Sequence, residues 1–251
     1  MIRLNAQESP LYQKWVKEGK PLDPDNRFWE PWTKNTNHAA ECLKGWGRPT
    51  PDFQPGGTGQ RGKKHRTKRT AQHLKGETVL DVGCGVGHLF GALQTGPIAT
   101  EYLGLDCENM INLARECFPI DKENFQVGDV FDISGAKGWS PPHKGTYHTV
   151  FSLQVVQHLP VLYEPLQEMW NHAEKRLVVA LLPPTIPVFT VKENGLISHR
   201  YTPEEIDKAV RKLKPSIKRV QILMPNCKED PEDPRSPREQ AILVLDKEEV
   251  S

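Results

Sequence analysis

Long apolar runs are missing from this 251-residue sequence, so no segment has the length of a helix that spans a bilayer. Excess charge is missing too. The 33 Lys and Arg nearly balance the 32 Asp and Glu, and a net charge of +1 gives the whole molecule no field that would draw it to nucleic acid or to a membrane surface. Cysteine is sparse: the five, at 42, 84, 107, 117 and 227, form no C-x-x-C pair and no cluster with histidine at zinc spacing, so no metal site is expected. Their odd number and the lack of a signal peptide favour free thiols in a reducing, cytoplasmic setting.

What is present is concentrated between Glu77 and Phe90, reading E-T-V-L-D-V-G-C-G-V-G-H-L-F. Thr78 to Val82 is a short β-branched and aliphatic run that reads as a buried parallel strand, and the glycines behind it read as a sharp turn into a helix. Gly83, Gly85 and Gly87 allow backbone conformations closed to other residues and leave no β-carbon to keep a ligand away. The helix that opens next offers unpaired N–H groups to polar or anionic ligand atoms. A dinucleotide fingerprint needs Gly-x-Gly-x-x-Gly, but counting from Gly83 puts His88 at the third position and counting from Gly85 puts Phe90 there. Both frames fail.

Two later strand ends carry acids. Tyr102 to Leu105 is an apolar strand ending at Asp106, 19 residues beyond Gly87, about the separation at which a βαβ unit presents an acid to a ribose diol. Phe125 to Val127 is a third strand leading into Gly128-Asp129-Val130.

The run D-V-G-C-G-V-G, with Asp81 on the strand end, resembles the first motif of class I S-adenosylmethionine-dependent methyltransferases, and D-C-E-N-M-I-N-L-A-R resembles the second, although Glu108 stands where a serine is frequent. The resemblance covers about Thr67 to Leu182. It implies that Gly83, Cys84, Gly85 and Gly87 pack against the methionine part of the cofactor and that Asp81 helps hold its amino group. Asp106 and Cys107 would meet the ribose. Asp129 and the Val130 amide would meet the adenine edge, and Leu153 would close the cofactor site. S-adenosylmethionine and its product S-adenosylhomocysteine are the implied ligands. Cys84 as a nucleophile is the weaker reading, since no catalytic base lies near it in sequence.

Strand four, Tyr147 to Leu153, runs into Q-V-V-Q-H-L-P, the place where such enzymes seat the acceptor. Gln154, Gln157 and His158 are the candidate substrate contacts there. Histidine is the residue type suited to proton transfer near neutral pH, and His158 is the candidate catalytic residue, able to take a proton from an acceptor hydroxyl or amine; the alternative is a histidine that only packs or caps the next helix. No Asp/Asn-Pro-Pro-Tyr follows this strand, so the signature of amino-methylating DNA enzymes is absent.

Residues 1–60 read as an irregular N-terminal arm or lid ahead of a domain over 61–251. Leu11 to Val16 is a short helix candidate, and four of the six tryptophans, Trp15, Trp29, Trp32 and Trp46, lie in the arm. Trp29 and Trp32 either line the acceptor pocket or anchor the arm to the core. Pro49 to Gly62 is a Pro- and Gly-rich linker, and residues 61–69, R-G-K-K-H-R-T-K-R, hold six basic residues. Those six either touch phosphates or form the solvated face of a helix whose apolar side is Ala71 and Leu74.

Further on, the expected elements are a helix from His88 to Leu93, a helix over Asn109 to Cys117 capped by Asn109, a helix from Val161 to Glu174, and a strand from Leu177 to Leu182. A hairpin turning at Asn194-Gly195 follows, with His199 and Tyr201 as further substrate candidates. Next comes a helix capped by Thr202, and strands over Ile217 to Met224 and Ala241 to Leu245 close as an antiparallel hairpin. The fold class expected is α/β, a Rossmann-like, mostly parallel seven-stranded sheet with helices on both faces. The expected activity is methyl transfer to an oxygen or nitrogen of a small molecule. Its rivals are an RNA or protein methyltransferase that docks its substrate on 61–69, and a non-catalytic cofactor-binding module.

Overall fold

The structure is a computed structural model that describes residues 67, 70–94, 101–136, 146–159, 161–181, 188–191, 197–201, 203–213, 217–223 and 241–248. The arm with Trp29 and Trp32, the linker, nearly all of the basic segment, Asn194-Gly195 and Thr202 lie outside the described residues.

Five strands run parallel: β1 (Thr78–Val82), β2 (Glu101–Asp106), β3 (Phe125–Val127), β4 (Tyr147–Leu153) and, on the far side of β4 from β1, β5 (Ala173–Leu181). Two antiparallel strands, β8 (Ile217–Leu223) and β9 (Ala241–Lys247), complete a seven-stranded sheet of order β3-β2-β1-β4-β5-β9-β8. A separate antiparallel pair, β6 (Val188–Val191) and β7 (Ile197–Arg200), is the expected hairpin. The mostly parallel α/β architecture read from the sequence is therefore what the chain adopts.

Side-chain alternation explains the two layers of core. On β1, Leu80 and Val82 face one way and Val79 the other; β2 repeats this with Leu103 and Leu105 against Tyr102. The first face packs on α3 (Tyr163–His172), through Leu166, Met169 and Trp170, and on α4 (Pro203–Lys212), through Ile206, Ala209 and Val210. The second face packs on α1 (His88–Leu93), through Leu89, Phe90 and Leu93, and on α2 (Glu108–Cys117), through Ile111 and Ala114. Ala71 and Leu74 join the second face, as their spacing predicts. Among the described residues no helix is long and apolar enough to cross a membrane.

Two boundaries differ from expectation. Cys107, extended at φ −66° and ψ 158°, caps α2 in place of Asn109, because the chain leaves β2 and turns helical at once. Helix α3 stops at His172, and Ala173 already pairs with Tyr147, so β5 starts four residues before the apolar run that marks it in the sequence. Sheet pairing to β4 and β9 takes those polar residues from the helix.

The order of strands reverses between β1 and β4. In an open α/β sheet the crevice at such a switch point, outside the carboxyl ends of the strands, is where ligands bind. The turn after β1 and the turn after β4 stand side by side there.

Candidate functional site

The turn after β1 is shaped by its glycines. Gly83, Gly85 and Gly87 sit at φ +77°, +57° and +86°, the left-handed region that costs other residues about 1–2 kcal/mol. Gly83 also lies so close to the turn after β4 that an added β-carbon would overlap Val155 Cγ2. The loop is tied to β2 as well: the Gly83 and Cys84 amides donate to the Leu105 carbonyl at 2.7 and 3.0 Å.

Asp106 completes that tie. Its Oδ2 accepts the Gly85 N–H and its Oδ1 accepts the Cys107 N–H, both at 2.7 Å. Burial raises its carboxyl above the usual range, while these two amide bonds pull it down. A carboxylate offers about four lone-pair positions, so two amides leave acceptor capacity for a ligand's hydroxyls. Asp106 thus both braces the loop and keeps the capacity a ribose diol needs.

Asp81 is set in the interior. It is 1% exposed, on the face of β1 shared with Val79, and its Oδ2 accepts the Tyr102 hydroxyl at 2.7 Å. Its Oδ1 is buried with no hydrogen-bond partner among the described residues. Burial pushes its pKa up to about 7, the Tyr102 bond opposing and Asp106 adding to the rise. Tyr102 is not singled out by the sequence, since an aromatic in a buried strand carries no mark of a polar duty.

The Cys84 side chain turns into the core: it is 6% exposed and occupies the space left open by Gly104, whose absent β-carbon would meet Sγ at 2.8 Å. Burial holds its thiol well above the ordinary range, as it does Cys107, pushed up to about 12. Both thiols are therefore poor nucleophiles, and Cys84 serves the loop through its backbone.

Just past β3, Asp129 Oδ1 accepts the Phe131 N–H at 2.9 Å and its carbonyl accepts the Asp132 N–H at 3.1 Å, a tight turn beside the buried Val130. The three strand-end acids thus all lie at carboxyl ends of neighbouring strands.

At the end of β4, Leu153 and Gln154 are half-buried, and Gln154 sits at positive φ, +62°, with its N–H on the Ala180 carbonyl at 3.2 Å. Val156–His158 form a single tight helical turn. Within it Gln157 is 6% exposed, with Nε2 3.3 Å from Nε2 of the half-buried His158. Tyr201 is a brace: 3% exposed, its hydroxyl lies 2.7 Å from the Leu159 carbonyl, 3.0 Å from that of Val161 and 3.1 Å from that of Val156. In this arrangement the Tyr201 hydroxyl is directed to the backbone that carries His158. Val155, missed by the sequence reading, is what joins the two turns. Among the described residues no group of three or more His, Cys, Asp or Glu could hold a metal ion.

Residues 80–176 match the family model described as "Methyltransferase domain". Nothing among the curated proteins matches the chain. Among solved structures, magnesium protoporphyrin IX methyltransferase from Synechocystis PCC 6803 with bound S-adenosylmethionine is 19% identical with a TM-score of 0.55, covering 91% of this chain and 99% of that one. Phosphoethanolamine N-methyltransferase 2 from Haemonchus contortus, in complex with S-adenosylmethionine, is 14% identical with a TM-score of 0.59, covering 92% and 61%. The small RNA methyltransferase HEN1 is 16% identical with a TM-score of 0.53, covering 75% and 26%. At these identities the solved structures establish the shared fold.

Proposed function

Residues 80–176 match a methyltransferase domain, and from that premise we propose that the protein is a class I enzyme that moves the methyl group of S-adenosylmethionine to an oxygen or nitrogen of a small-molecule acceptor. The observation that carries the cofactor reading is Asp106 clamped to Gly85, which fixes the glycine loop and a ribose-binding carboxylate as one unit. Gly83, Gly85 and Gly87 would admit the methionine part, Asp106 and Cys107 the ribose, and Asp129 with Val130 the adenine. Leu153 stands at the carboxyl end of β4, next to the loop. Asp81 acts beneath the loop, through Tyr102 and the buried face of β1.

When bound, the sulfonium cofactor supplies an already activated methyl group. The chain's own part is then to align, exclude water and move a proton. Val155 against Gly83 fixes the distance between the cofactor loop and the turn that carries Gln154, Gln157 and His158. His158 receives the proton of the acceptor's O–H or N–H, and Gln154 orients that acceptor. The polar set Gln154, Gln157 and His158, with no Lys or Arg in it, suits a small acceptor more than a phosphate chain.

Calorimetric titration with S-adenosylmethionine and S-adenosylhomocysteine, with NAD as control, tests the cofactor half. Micromolar binding of both and none of NAD is expected, and absence of binding by folded protein would reject it. Turnover on a panel of small acceptors tests the other half. Activity confined to RNA or protein and falling steeply with salt would replace the small-molecule reading with docking on 61–69.

A further inference from the structure

Beyond β3 the chain folds into a compact turn over residues 128–136. Its bonds to itself set its shape: Asp129 accepts the Phe131 N–H on Oδ1 and the Asp132 N–H on its carbonyl, Asp132 Oδ1 accepts the Gly135 N–H at 3.0 Å, and the Ala136 N–H reaches the Ile133 carbonyl at 3.2 Å. Val130, Phe131, Ile133 and Ala136 are buried in the same core as Leu166, Met169 and Trp170 of α3. Burial of that kind is non-directional, so it seats the turn without fixing its register. Directional bonds to other elements do that. The Gly128 N–H donates to the Asp106 carbonyl at 3.1 Å, and the Ile133 N–H donates to Oε1 of Glu168, on α3, at 3.1 Å.

Glu168 is itself held. The same Oε1 lies 3.2 Å from Nε2 of His172, one helical turn on, and because a carboxylate can only accept, that ring nitrogen carries hydrogen. The His172 bond draws the Glu168 carboxyl below its usual range, with burial opposing and the Ile133 N–H adding to the fall, so the acceptor stays charged. We infer that Glu168 is a positioning residue for the cofactor's base: by holding Ile133 from α3 it sets where Asp129 and Val130 stand at the end of β3. This rests on the reading of Asp129 and Val130 as the adenine contacts. The link runs from Glu168 to Ile133 and, through the Asp132 N–H on the Asp129 carbonyl, to Asp129 itself.

The test compares S-adenosylhomocysteine with S-inosylhomocysteine, in which oxygen replaces the 6-amino group and N1 carries hydrogen, so that donor and acceptor on the base edge are exchanged. A turn that hydrogen-bonds adenine rejects the exchanged edge. By calorimetry on the full chain the wild type should prefer the adenine ligand. Glu168→Ala should weaken S-adenosylhomocysteine by about tenfold, the size of one lost hydrogen bond, and the inosine ligand far less, so the preference shrinks. Glu168→Gln keeps an oxygen for the Ile133 N–H and should retain the preference. A purely structural role would lower stability and leave the preference in Glu168→Ala as it is, and that result overturns the inference. Should Glu168→Ala not fold, amide exchange of the wild type decides: at saturation S-adenosylhomocysteine should slow exchange at Ile133 more than S-inosylhomocysteine does, and equal slowing overturns the inference. Asp129→Ala is the separate arm. Preference lost there but kept in Glu168→Ala overturns the inference alone, whereas a wild type without any preference overturns the adenine reading and the inference with it.

Discussion

Val155 lies directly on Gly83: a β-carbon at Gly83 would overlap Val155 Cγ2 and fall 3.1 Å from its Cβ. Gly83→Ala therefore meets two penalties, about 1–2 kcal/mol for a side chain at φ +77° and about 1–3 kcal/mol for overpacking. In a Val155→Ala background the second penalty should largely vanish while the first remains. Denaturant unfolding of the four proteins in this cycle measures the coupling. Strictly additive effects would mean that the two turns are not locked together in solution.

Asp106→Asn tests the other tie on the loop. An amide presents one oxygen and one NH2, so it can serve the Gly85 N–H or the Cys107 N–H but sets two donors against each other at the second. Loss of a charge-assisted bond is worth about 1.5–3 kcal/mol, so affinity for S-adenosylhomocysteine should fall by about tenfold or more. Calorimetry that finds the same affinity in the variant would take Asp106 out of the cofactor site.

The parts of this design that are legible in the sequence are those written in local patterns. Strand β1, with Asp81 and three glycines, declares a strand, a turn and a helix within 14 residues, and Asp106 and Asp129 stand at strand ends where short apolar runs stop. The parts that are not legible depend on neighbours distant in the chain. Nothing in the string Q-V-V-Q-H-L-P marks Gln154 for positive φ or Val155 for contact with Gly83, because both follow from β4 lying beside β1. Tyr201 reads as a substrate contact since it is polar and follows a hairpin; only the packed fold brings its hydroxyl to the carbonyls 40 to 45 residues earlier. Likewise the extra length of β5 is written in its partners β4 and β9, which draw polar residues such as Glu174 into the strand.

Asp81 should leave its mark on the pH dependence of stability. Burial moves its pKa from 3.8 to about 7, so between those values the unfolded chain has released the proton while the folded chain holds it. The folded state then binds more protons, and stability falls as pH rises through this window; above about 7 both states are ionised and the folded one carries a buried charge. Asp81→Asn keeps an oxygen for the Tyr102 hydroxyl but cannot ionise. Relative to wild type it should gain stability as pH rises from about 4 to about 7, by about 1.4 kcal/mol for each pH step across that window and so by a few kcal/mol at most. Urea unfolding of both proteins at pH 4.5, 6 and 8 reads this difference, and parallel profiles would place the Asp81 pKa at its ordinary value.

Tyr201→Phe removes one oxygen from beneath the turn that carries Gln157 and His158. The ring is 3% exposed and stays packed, so the change leaves no sizeable cavity and isolates the hydroxyl. Three carbonyls, of Val156, Leu159 and Val161, then lose the donor they converge on, and the loss should be about 1–3 kcal/mol. A brace and a substrate contact predict different pairs of results. If Tyr201 is a brace, stability drops, amide exchange quickens over residues 156–161, and affinity for S-adenosylhomocysteine changes little, since the glycine loop and Asp106 are untouched. Unchanged stability and unchanged exchange, combined with a raised KM for the methyl acceptor, would instead return the hydroxyl to the substrate pocket.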